Sequence, residues 1–166
     1  MKDYAAFYQR LTAGLRTRPW MIFLLKALNR WLTKTMHFIY PVLLLYLLVF
    51  GRFQQFWADS IIPALCFVVL SLCRYWLNQP RPYEIWEIEP LIFKDTKGQS
   101  MPSRHVFSAV IISMCALEIN TYLGLILLIL SGILGLCRIL GGIHYPKDVL
   151  VGYVIGLFCG SILLFI

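Results

Sequence analysis

Five long apolar runs constrain this chain more than any other feature: Met36–Gly51, Phe56–Leu77, Ser103–Ile119, Tyr122–Leu140 and Val149–Ile166. A bilayer core about 30 Å thick is crossed by about 20 helical residues, and each run approaches that length. Backbone in lipid must satisfy its own hydrogen bonds, which leaves helices or a closed barrel. The period-two alternation of a barrel is absent. The sequence therefore predicts an all-α, polytopic transmembrane bundle of five spans, occupying residues 36–166 of a single domain 1–166. Composition agrees: 60% of residues are hydrophobic, 14% are charged and mean hydropathy is +0.74, outside the range of soluble globular chains.

Residues 1–34 differ. They carry Lys2, Arg10, Arg16, Arg18, Lys26, Arg30 and Lys34. Met21, Leu24, Leu25, Leu28, Trp31 and Leu32 recur at helical spacing with Lys26 and Arg30 on the other side, the pattern of an amphipathic interfacial helix. The short apolar stretch Trp20–Leu25 lacks a small-residue cleavage pattern, so no cleavable signal peptide is expected. The 15 Lys and Arg outnumber the 8 Asp and Glu, which in a membrane protein points to anionic headgroups or phosphates. The cations are scattered among apolar runs, so a nucleic-acid partner is not expected. Cys66, Cys73, Cys115, Cys137 and Cys159 lie in or beside apolar runs without CxxC spacing, and read as packing residues.

Three polar patches interrupt the runs: Arg74–Pro82, Met101–His105 and Cys137–Asp148. With helices alternating in direction, all three fall at one membrane face. Arg74, Arg81 and Arg138 can clamp a tetrahedral oxyanion through forked donors. Ser103 and the N–H groups opening the third span add further donors. His144 and Asp148 are four apart, so the carboxylate can hold one imidazole nitrogen and leave the other free as a nucleophile. His105 suits a general acid for the leaving group. No carboxylate cluster with metal-ligand spacing accompanies them, so neither a metal nor another cofactor is expected. The Glu84, Glu87, Glu89 group in the Asn78–Met101 loop reads as a solvated connection, and His37 as structural.

These patches resemble the signature of the type 2 phosphatidic acid phosphatase superfamily, which also includes the vanadium-dependent haloperoxidases. Its pattern is Lys-x6-Arg-Pro, then Pro-Ser-Gly-His, then Ser-Arg-x5-His-x3-Asp. Arg74, Arg81 and Pro82 fit the first; Pro102, Ser103 and His105 the second; Arg138, His144 and Asp148 the third. Arg74 stands in place of lysine, Arg104 of glycine and Cys137 of serine. The resemblance implies a membrane phosphatase of a lipid phosphate or pyrophosphate, such as phosphatidic acid, phosphatidylglycerol phosphate or undecaprenyl pyrophosphate. It implies that His144 forms a phosphohistidine, Asp148 orients its ring, His105 protonates the leaving oxygen, and Arg74, Arg81, Ser103 and Arg138 hold the phosphoryl oxygens. Arg104 is expected to meet a second phosphate or an anionic headgroup. A phosphotransferase using the same site and a non-catalytic lipid-phosphate binder are the alternatives; a haloperoxidase fits least. The sequence leaves oligomeric state open.

Orientation sets two arguments against each other. The basic segment 1–34 favours a cytoplasmic site by the positive-inside rule, whereas the resemblance places the site at the outer face of the cell membrane. The expected arrangement has the N-terminus and site outside and segment 1–34 lying on the outer leaflet. A sixth span at Pro19–Lys34 is the alternative, at a cost of ~2.5–3.5 kcal/mol each for Lys26 and Arg30 near a helix centre.

Overall fold

A computed structural model describes residues 3–165; Lys2 in the basic segment and Ile166 at the end of the last apolar run lie outside them. The elements are α1 (Tyr4–Arg16), α2 (Pro19–Val49), α3 (Phe53–Leu77), the single turn α4 (Pro82–Ile85), α5 (Arg104–Ile119), α6 (Thr121–Leu140), α7 (Pro146–Ser161) and a closing 3₁₀ turn (Ile162–Phe165). Among the described residues there is no strand. Four stretches are long and apolar enough to cross a membrane: Pro19–Val49, Phe53–Ile85, Thr121–Leu140 and Pro146–Phe165.

The fifth apolar helix, α5, is shorter at 16 residues and sits in the middle. From Val106 to Ala116 every residue except Ser108 is buried, as expected of a helix that is apolar all round. It packs against α6, α7, α2 and α3. Small residues make this possible. Gly152, Gly156 and Gly160 recur every fourth residue along α7, and a Cβ on them would stand 2.8 Å from Ser103 O, 2.8 Å from Val110 Cβ and 2.4 Å from Met114 Cγ. Close approach through such ladders is the common glue of membrane helices.

The boundary expected near residue 35 does not exist. Instead of an interfacial helix ending at 34 and a span beginning at 36, α2 runs unbroken for 31 residues. Nothing between Pro19 and Pro41 interrupts helix formation, and one buried stripe (Leu25, Leu32, Met36, Leu43, Leu47) passes through both halves. The apolar face read as lipid-seeking is partly turned to the bundle, while Lys26 and Arg30 stay exposed. The level of the site can be read on α2 from Thr33, whose Oγ1 accepts a hydrogen bond from Arg138 Nη2 at 3.2 Å. At 1.5 Å per residue, α2 extends about 24 Å below that level and about 21 Å above it. Lys26 and Arg30 therefore sit about 10 and 5 Å beyond the arginine, toward the N-terminus of α2.

The helices alternate so that the ends of α3 and α6 and the starts of α5 and α7 meet. Helix α1 lies on this same end. Its buried residues are Tyr4, Tyr8 and Thr12. Tyr8 Oη donates to Leu140 O at 2.9 Å and accepts from Leu91 N at 3.3 Å, and Arg16 donates to Glu89 O at 2.5 Å.

Candidate active site

The three arginines are each fixed by hydrogen bonds rather than by carboxylates. Arg74, in the last turn of α3, donates to the carbonyls of Gln99, Ser100 and Pro102. Arg81, the N-cap of α4, donates through Nε to Gly98 O and through Nη1 to Ile143 O, both at 3.1 Å. Arg138, in the last turn of α6, donates to Thr33. All three are at most 5% exposed, and among the described residues no Asp or Glu forms an ion pair with any of them. A buried cation without a counter-charge is costly. Three of them facing one place make a site that favours an anion.

Glu84 is exposed, as a solvated connection would be, and it is also a structural clip. Its carboxylate accepts from Arg81 N and Gly98 N, both at 2.8 Å. It closes the capping box of α4, and so ties the loop to the start of the second patch.

The turn Gly141–Tyr145 delivers His144. Gly142 is at φ 75°, where a side chain would also meet Tyr8 Oη at 2.7 Å, so glycine is required twice over. Pro146 opens α7, and Asp148 is its capping-box acid, with Oδ2 accepting from Tyr145 N at 3.0 Å. The cap fixes the carboxylate beside His144, whose Nδ1 stands 3.7 Å from Oδ2. Burial, reinforced by the Arg81 and Arg138 charges, pushes the His144 imidazole down to about 4 against the opposing pull of Asp148. The ring is thus neutral at physiological pH, as a nucleophile must be.

Ser103 caps α5, fully buried, with its Oγ unpartnered, and its N–H donates to Asp148 O at 2.9 Å. That bond sets the starts of α5 and α7 side by side. His105, in the first turn of α5, is half-buried and within electrostatic reach of Arg138 and His144. Arg104 departs from the group. It is exposed, with its guanidinium 5.8 Å from the centre of the Phe67 ring.

From Arg104 and His105 a cavity of about 220 Å³ descends between α2, α3 and α5, past Thr33, Met36, His37 and Phe67. It shares His37, Phe67, Ser108 and Ile112 with a second, more apolar cavity of about 370 Å³ deeper in the bundle. An apolar chain would fit this groove with its head beside His105. His37 is therefore a groove residue, its Nδ1 held by Thr33 O at 2.6 Å.

Two further residues belong to the site without having stood out in the sequence. Ser100, fully buried, donates from Oγ to Asp148 Oδ2 at 2.5 Å and lies 3.4 Å from His144 Nδ1. Lys94, on the loop over the arginines, is pushed down to about 8 by burial and then by Arg81, Arg138, Arg74 and Arg104. Neither is in helical register with a motif, and only the folded loop brings them in.

The profile of the PAP2 superfamily matches residues 60–165. No curated protein matches the sequence closely enough to count as a relative. Among solved structures, Aquifex aeolicus LpxE aligns with 97% of this chain and 94% of its own, at 23% identity and a TM-score of 0.77. The first transmembrane PAP2 type phosphatidylglycerolphosphate phosphatase from Bacillus subtilis aligns with 96% of this chain and 91% of its own, at 19% identity and a TM-score of 0.53. At these identities the likeness is one of fold.

Proposed function

The chain belongs to the PAP2 superfamily, and from that premise we propose that it is an integral-membrane phosphatase that cleaves a lipid phosphate or lipid pyrophosphate through a phosphohistidine. The observation that carries this reading is the set of three buried arginines without carboxylate partners, gathered around a neutral His144. Arg81 and Arg138 hold the non-bridging oxygens with the guanidinium donors that the protein leaves free. Arg74 spends its Nη atoms on the loop carbonyls and so sets the loop, while its buried, unpartnered Nε remains a free donor. Ser103 Oγ supplies a further donor.

In the first step His144 Nε2 bonds to phosphorus as the bond to the leaving oxygen breaks, and His105 delivers a proton to that oxygen. In the second, His105 takes a proton from water, whose oxygen bonds to phosphorus and releases His144. The arginines supply the charge stabilisation that a divalent cation gives elsewhere. Arg104 and Lys94, at the rim, meet a second phosphate or an anionic headgroup.

The lipid tail occupies the groove between α2 and α3. The bundle has five spans, with α5 as the enclosed one, and segment α1 plus the first half of α2 rides above the slab. We place the site at the outer face of the cell membrane, although every Lys and Arg of the described residues except Arg52 lies at the site end. Several of those cations serve the pocket, so they are not free topology signals. Labelling of cysteines introduced at positions 97 and 5, in a cysteine-free background, tests this: labelling of both from outside is expected, and protection of both overturns the orientation.

Purified protein should release phosphate from at least one of phosphatidic acid, phosphatidylglycerol phosphate and undecaprenyl pyrophosphate in EDTA. No release from any of the three, or release only with added Mg²⁺, would refute the reading.

A further inference from the structure

A third side chain stands between His144 and Asp148. The Nδ1–Oδ2 separation of 3.7 Å is too long for a hydrogen bond. Ser100 Oγ fills the interval, 2.5 Å from Oδ2 and 3.4 Å from Nδ1. We propose that Ser100 is a positioning residue for phosphoryl transfer, relaying Asp148 to His144 and holding the ring with Nδ1 protonated and Nε2 bare. The assignment rests on reading His144 as the nucleophile.

The direction of each bond follows from the donor inventory. A carboxylate only accepts, so the single hydroxyl proton of Ser100 goes to Oδ2. The lone pair left on Oγ faces Nδ1, which must then be the donor. The chain is Nδ1–H to Oγ, then Oγ–H to Oδ2. As Nε2 bonds to phosphorus, the ring gains positive charge, and the relay brings the Asp148 charge to bear on it with no proton leaving Nδ1. Ser100, Asp148 and His144 are 0%, 0% and 1% exposed, so bulk solvent does not compete for these bonds. Ser100 itself is pinned at both backbone ends. Its N–H donates to Gln79 O at 2.7 Å and its carbonyl accepts from Arg74 Nη1 at 3.3 Å. One residue thus joins the first arginine of the site to the histidine–aspartate pair.

The test is Ser100→Ala in the full chain, assayed on the lipid the wild type hydrolyses. The expected result is a kcat lower by roughly 10- to 100-fold, the scale of a misplaced reacting group, with KM within about twofold. Nitrogen-15 spectra of labelled histidine, with His144 assigned from a His144→Ala sample, give a readout independent of turnover. Wild type should show His144 protonated at Nδ1 only, Ser100→Ala should show Nε2–H populated, and Ser100→Thr should restore the wild-type pattern. A kcat for Ser100→Ala within twofold of wild type, or an unchanged His144 tautomer, overturns the proposal. If the variant does not fold, wild-type His144 found with Nε2–H overturns it as well. Absence of lipid-phosphate hydrolysis by the wild type would instead defeat the phosphatase reading and leave the tautomer result standing.

Discussion

The two ends of the bundle both bury ionisable side chains, and they do so differently. At the site end the guanidiniums of Arg74, Arg81 and Arg138 are held by loop carbonyls and by Thr33. At the far end Asp59 is fully buried on α3, near Glu118 and Cys115, yet neither carboxylate oxygen has a donor. Gln55, one turn away and 7% exposed, has both amide atoms unpartnered, and Tyr40 bonds only the backbone carbonyl of Asp59. Burial alone thus does not distinguish a reactive centre. What distinguishes it is a backbone scaffold that fixes each charge in place before any ligand arrives.

The sharpest way to break the comparison is His144→Ala. Phosphate release should fall by about 10³-fold or more, because no other group can carry the phosphoryl, while lipid binding survives on the arginines. Residual turnover above about a tenth of wild type would remove His144 from its role.

The pH profile comes next. His144 must be neutral to attack, and its value is depressed to about 4. The acid limb of kcat/KM should therefore stay flat through pH 6 and fall, about tenfold per unit, only near and below pH 4. A limb at pH 6.5 would mean an ordinary, solvated imidazole. Lys94 is charged below about 8 and neutral above it, so KM should rise a few-fold as pH passes 8, and Lys94→Gln should abolish that rise.

A pair of glycines on α7 sharpens the contrast. A Cβ at Gly152 meets the backbone of Ser103 at the site end, whereas at Gly160 it meets Cβ and Cγ of Met114 at the far end. Gly152→Ala should cost about 1–3 kcal/mol and lower kcat several-fold, since the starts of α5 and α7 must part. Gly160→Ala should cost a comparable amount, about 1–3 kcal/mol, with kcat unchanged. Equal effects on kcat would show that the site does not depend on that junction. The smallest effect is expected at Asp59→Asn, with kcat/KM within about twofold and melting equal or a few degrees higher, because a buried carboxylate without donors is removed. A tenfold loss of activity would give the far end a part in the reaction.

Much of this was legible in the sequence because membrane and phosphate chemistry both leave local marks. Apolar runs announce helices, and Arg81, Ser103, His105, Arg138, His144 and Asp148 stand at the ends of those runs. The continuity of α2 was not legible. Lys26 and Arg30 argue locally for an end to the apolar helix, and sequence alone does not show the buried stripe that carries α2 past them. Ser100 and Glu84 were hidden for another reason, since their partners lie 44 and 14 residues away, and His37 becomes a groove residue only once α2, α3 and α5 line one cavity. The Gly152–Gly156–Gly160 ladder was visible as spacing, but its meaning depends on the helix it meets.

The groove opens beside Arg104 and His105 at the height of the arginines and runs down between α2 and α3. On the proposed function, a lipid whose phosphate reaches this depth would keep its tail among its neighbours, and no extraction into water would precede the reaction. Encounter is then a two-dimensional search within the leaflet. The controlling quantity becomes the substrate's mole fraction in the membrane or micelle, and diluting it with inert lipid at constant bulk concentration should slow the reaction.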